Sequence, residues 1–84
     1  ISVKIYCMET AVFKSYENGF YTFLFNNGGE IIFEEVHPRV LKQFDLQNDD
    51  SLIDKTFRVS FVEVYDDLDE DYLAYRIESM KLPL

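Results

Sequence analysis

Eighty-four residues carrying a net charge of −8, from sixteen acids against eight bases, suit one domain with a single core. A hydrophobic fraction of 48% and an aromatic fraction of 17% exclude a disordered tail. Polar residues interrupt every apolar run well before the roughly 20 positions a membrane-spanning helix needs.

Ile1, Val3, Ile5 and Cys7 alternate with Ser2, Lys4, Tyr6 and Met8, and Ala11 and Phe13 continue an apolar alternation of the same parity. This predicts one long, bent first strand. Glu17-Asn18-Gly19 closes it, because Asn-Gly takes the positive φ angles of a tight hairpin most readily. A second strand follows from Phe20 to Phe25, with Tyr21, Phe23 and Phe25 on one face and Phe20, Thr22 and Leu24 on the other. Asn26-Asn27-Gly28-Gly29 turns the chain again. Glu30 to Val36 is then a third strand, rich in β-branched and aromatic residues.

Pro38 loses no hydrogen bond in a first helical turn, and Val40, Leu41 and Phe44 share one helical face, so a short helix is expected from about Pro38 to Phe44. Asn48-Asp49-Asp50-Ser51 breaks it, and Leu52 with Ile53 is expected to tuck back onto the core. A fourth strand runs from Lys55 to Tyr65. Phe57, Val59 and Phe61 share one parity while Val62 and Val64 take the other, a slip that predicts a β-bulge or sharp coiling. Asp66 to Asp71 makes the next turn, and Tyr72 to Leu82 supplies a fifth strand that Pro83 ends.

Three meandering strands, a helix and a final hairpin resemble the oligonucleotide/oligosaccharide-binding (OB) fold, a partly open five-stranded Greek-key barrel. The likeness is one of element order and spans nearly the whole chain. The segment Ser51-Leu52-Ile53-Asp54-Lys55-Thr56-Phe57 also looks like those of small uncharacterised bacterial proteins of this shape. The resemblance implies a single OB-like barrel over residues 1–84, with a ligand face on the second and third strands. The first–second and fourth–fifth loops would rim that face.

The charge distribution bears on partners. Up to Gly29 the chain is neutral; from Glu30 to Asp54 seven acids face Arg39 and Lys42, and from Lys55 onward seven acids face four bases. A field of this sign opposes DNA and RNA, whose affinity for proteins comes largely from Lys and Arg neutralising phosphates. The expected partner is a protein, met at an exposed strand edge or on the second–third strand face. Tyr21, Glu34 and the acids Asp66, Asp67, Asp69 and Asp71 are the candidate contact residues. Phe23 and Phe25 are expected in the core, and Tyr21 is the ring of that row expected at the surface. Were the whole aromatic row exposed, it would instead stack bases or sugars; alternatively, the acids could mimic a nucleic acid.

Other constellations carry less. Asp67, Asp69, Asp71 and Glu78 approximate a calcium-loop spacing, but Tyr72 stands where that loop needs glycine, so a solvated hairpin tip is expected. Glu35 and His37 fall short of the three or four ligands of a zinc site, and a structural histidine before the helix is expected. The lone Cys7 is expected to be a buried, inert thiol. With no nucleophile elbow, phosphate loop or dinucleotide fingerprint, neither an enzyme nor a resident cofactor or metal is expected. The chain opens on Ile1 rather than Met, the sign expected of a trimmed start, and one cysteine demands no oxidising compartment, so the cytoplasm is the default address.

Overall fold

A computed structural model describes the backbone of residues 2–66 and 69–83 and the side chains of residues 7–63 and 74–83. The chain is mainly β. Its elements are β1 (Ser2–Glu17), β2 (Phe20–Phe25), β3 (Glu30–Phe33), β4 (Glu35–Val36), α1 (Pro38–Gln43), a 3-10 turn (Asp50–Leu52), β5 (Thr56–Asp66) and β6 (Asp69–Lys81). The strands form one six-stranded sheet in the order β3-β2-β1-β5-β6-β4.

The turns follow from local chemistry. Asn18 and Gly19 have φ of 52° and 85°, so both central residues of the β1–β2 hairpin sit in the left-handed region that Asn and Gly tolerate best. At the next turn the Gly28 N–H donates to the Phe25 carbonyl at 2.9 Å and the Phe25 N–H donates to Gly29 at 2.8 Å, with Gly28 at φ 87°. That is a turn followed by a left-handed residue, a common hairpin closure.

β1 is long enough to pair twice. Ser2 to Val12 pair with β5 from Asp66 to Thr56 without a register shift, and Ala11 to Glu17 pair with β2. A bulge between Phe13 and Ser15 bends it. There Lys14 reaches Asp54 at 2.6 Å, while the Phe13 N–H donates to the Lys55 carbonyl and the Asp54 N–H to the Phe13 carbonyl. The expected irregularity in the fourth strand falls beside Phe61, but its extra residue is on the partner. β5 is regular against β1, whereas against β6 the register shifts twice: Ser60 faces Ser79 but Phe61 faces Ile77, leaving Glu78 as a bulge on β6, and Tyr65 faces Leu73 but Asp66 faces Asp69.

The third strand departs from its expected course. It does not run unbroken from Glu30 to Val36 but bends at Glu34, and its two halves pair on opposite edges of the sheet. The rung Tyr21–Phe33 is the last between β2 and β3, and beyond the bend β4 finds its partner in β6, in parallel register with Arg76 and Ile77. The architecture is therefore a curled single sheet rather than a closed five-stranded barrel.

The concave side holds the core. Phe13, Phe23, Phe33, Phe57, Val40, Val59 and Ile77 are all but inaccessible. Phe33 meets the rings of Phe23 and Phe61 edge to face at 5.7 and 5.4 Å, a favoured geometry that holds two sides of the sheet together. α1 buries Val40, and Phe44, at its C-terminal cap, packs on Phe57 at 5.1 Å. Of the expected pair after the helix, Leu52 is buried but Ile53 is exposed. Leu52 ends the 3-10 turn facing the core, and at Ile53, its C-terminal cap, the backbone becomes extended.

Candidate functional site

Two surfaces lie near the bend at Glu34, and the first holds two of the residues that sequence reasoning singled out. The first is a cleft of about 590 Å³ between the end of β2, the bend and β6. Tyr21 and Glu34 both line it, so the fold does bring these two candidates together.

Tyr21 itself corrects the expectation of a surface ring. It is only 5% exposed, its ring lies 4.7 Å from that of Tyr16, and its hydroxyl accepts a hydrogen bond from Gln47 Nε2 at 2.8 Å. The reason is parity: Tyr21 shares its strand face with Phe23 and Phe25, and a face turned to the core takes all its residues with it. Phe23 and Phe25 are at 0% and 4%, so the row offers no ring for stacking a base or sugar.

The cleft is polar and internally satisfied. Arg76 and Glu78 stand two apart on β6 on either side of Ile77, and Arg76 donates from Nε and Nη2 to Glu78 Oε1 at 2.8 and 2.5 Å. The Glu78 backbone carbonyl, freed by the bulge, accepts from Arg39 Nε at 3.0 Å. His37 caps α1: its Nδ1 accepts from the Arg39 N–H at 3.1 Å, which requires the proton of the neutral ring to sit on Nε2. Its own N–H donates to Ile77 at 2.8 Å. The structural role expected of His37 is thus what its bonds describe. Among the described residues no group of three or more His, Cys, Asp or Glu side chains converges as metal ligands would.

The second surface is the outer face of the β2–β3 hairpin. Phe20 and Ile32 are 44% and 55% exposed, beside Ser15, Glu17, Asn18 and Thr22, around a shallow groove of about 300 Å³. Glu30 and Glu34 are exposed on either side of Ile32 along the chain. Sequence reasoning passed over Phe20 and Ile32. The signal was present: Glu30, Ile32 and Glu34 alternate acid, apolar, acid, the reverse of what a core-facing row shows.

Of the acidic turn, Asp67 lies outside the described residues, as do the side chains of Asp66, Asp69 and Asp71. The backbone places Asp66 at the end of β5 opposite Asp69 at the start of β6, so the strands reach further into that turn than expected. Cys7 is half-buried rather than buried; desolvation, then the charges of Glu63 and Glu9, push its thiol pKa up. A raised pKa leaves less of the thiol as the reactive thiolate at neutral pH.

Comparison with family models, with curated proteins and with solved structures finds no match to this chain.

Proposed function

We propose that this chain is a non-catalytic binding domain whose partner is another protein, docked on the outer face of the β2–β3 hairpin and the edge of β3. One observation carries the reading: Phe20 and Ile32 are exposed together beside a sheet edge, with Glu17, Glu30 and Glu34 exposed around them. Apolar residues at the centre with charges at the rim are the anatomy of a protein-binding surface, where the charges steer encounter and select partners. The net charge of −8 favours a basic or neutral partner over a nucleic acid. Glu34 keeps its place in this reading as a rim residue, and Tyr21 supports the hairpin from beneath.

The fold is read with it as a variant of the OB-like Greek-key barrel. The strand order supports this, because the sheet's two terminal strands, β3 and β4, are halves of one segment a single residue apart. A sheet so ordered must curl until its edges meet near Glu34.

The test is co-purification from the native host with mass spectrometry, comparing the natural chain with a Phe20→Ser, Ile32→Ser double variant whose melting temperature is unchanged. Partners held by the natural chain and lost by the variant support the assignment. An identical partner set for both would refute it.

A further inference from the structure

Resting on the reading just given, we infer that the partner presents an extended segment of pattern basic–x–apolar–x–basic, which adds to the sheet as a strand on the open edge of β3.

The register of the hairpin decides which backbone groups are open. In an antiparallel pair, opposed residues alternate between exchanging hydrogen bonds and exchanging none. The Phe25 N–H donates to the Gly29 carbonyl, which sets the phase, and the pairs Phe23–Ile31 and Tyr21–Phe33 follow in the bonded position. Leu24–Glu30 and Thr22–Ile32 are then the non-bonded pairs. The N–H and C=O groups of Glu30 and Ile32 therefore point away from β2, and β3 is terminal in the sheet, with no ladder on that side among the described residues, although β6 nears β3 as the sheet edges converge toward the bend at Glu34. An edge of this kind is a template for another strand.

The same residues set the chemistry of the occupant. Glu30, Ile32 and Glu34 are all exposed and alternate along the edge. A strand pairing with Glu30 and Ile32 places one residue opposite each of them and brings the next residue of that face beside Glu34 at the bend, so it meets acid, apolar, acid. Opposed unlike charges and apolar pairs stabilise a sheet, and like charges directly opposite destabilise it. A second copy of this chain is disfavoured for that reason: antiparallel pairing centred on Ile32 would bring Glu30 of each copy close to Glu34 at the bend of the other. A segment with Lys or Arg flanking an aliphatic residue satisfies every position, and its apolar side chain extends the Phe20–Ile32 patch.

The probe is a capped synthetic peptide TKTVTKT, titrated at low salt and followed by amide exchange and chemical shifts. Binding should slow exchange at the Glu30 and Ile32 amides and weaken as salt is raised. The charge-inverted peptide TETVTET should bind at least about tenfold more weakly, the loss expected from opposed like charges at two positions. Methylating the Val and Lys backbone nitrogens should abolish binding, whereas methylating the Thr nitrogens, which face away from the edge, should not. Ile32→Pro removes an outward N–H and leaves the β2 ladder intact. It should weaken TKTVTKT by a similar factor. Glu30→Lys with Glu34→Lys, both on exposed side chains, should reverse the preference toward TETVTET.

No binding of TKTVTKT, or equal binding of the peptide methylated on Val and Lys, overturns strand addition. The two levels of inference fail separately. If the peptide fails while the Phe20, Ile32 serine variant still loses its partners, the protein-binding face stands and only its mode is wrong. If the serine variant keeps its partners, the face itself is wrong.

Discussion

Ile32 and Phe33 are neighbours in sequence, yet replacing each by alanine should have very different consequences, and the difference measures the register of β3. Phe33 is fully buried, packed against the rings of Phe23, Phe25, Phe61 and Tyr75. Truncating such a side chain loses its transfer free energy and opens a cavity among rings that cannot all move inward. The cost is about 3–5 kcal/mol. Ile32 is 55% exposed, so Ile32→Ala should change stability by no more than roughly 0.5 kcal/mol. An unfolding entropy near 2.1 cal/mol/K per residue gives about 0.18 kcal/mol/K for a chain of this length. Phe33→Ala should therefore lower the melting temperature by roughly 15–30 °C, and Ile32→Ala by no more than about 3 °C. Urea unfolding followed by circular dichroism provides the free energies directly. Since a one-residue slip exchanges the two faces of a strand, equal losses for the two variants, or a larger loss for Ile32→Ala, would refute the assigned register and with it the open groups of Glu30 and Ile32.

Other consequences are open to measurement. Gly19 holds φ at +85°, so Gly19→Val should destabilise the domain by about 1–2 kcal/mol in the same urea assay, although nothing lies near enough to clash with a new Cβ. Tyr21→Phe leaves the ring in place and removes the hydroxyl that Gln47 reaches, and should cost about 0.5–1.5 kcal/mol; no change would mean that water accepts from Gln47 in place of the lost hydroxyl. Cys7 should react with iodoacetamide more slowly at neutral pH than a free cysteine, with a rate that rises at a higher pH than usual. Glu63→Gln should bring that rise back toward the ordinary value, because Glu63 is the larger of the two charge contributions after burial. Hydrogen bonds from the Ser51 hydroxyl and N–H hold the Asp49 carboxyl below its usual range. A depressed folded pKa contributes stability above the unfolded value of about 4, lost as pH falls through the folded value. Melting temperatures in acid should thus fall less steeply for Asp49→Ala than for the natural chain.

Much of the site was legible only in fragments. The hairpin at Asn18-Gly19, β2 at Phe20–Phe25 and the helix after His37 could be read because each depends on a short-range rule: positive φ, strict alternation, a proline in a first turn. Tyr21 was misplaced because residue type suggested a surface ring, whereas the two phenylalanines on the same strand face committed it to the core. The bulge was anticipated from the valines of β5 but belongs to β6, since alternation on one strand reports a mismatch without naming which partner carries the extra residue.

What the chain determined alone was the succession of elements and which strand faces are apolar, since turn geometry and period-two alternation act over a few residues and need no distant partner. Tertiary structure decided the bend at Glu34, the division of one predicted strand between two sheet edges, and the pairing of Arg76 with Glu78 beside Tyr21. The physical reason is that a strand's hydrogen bonds are made with segments remote in sequence. Where the rungs with β2 end, only the position of β6 in space can say where the chain pairs next, and which backbone groups it leaves open.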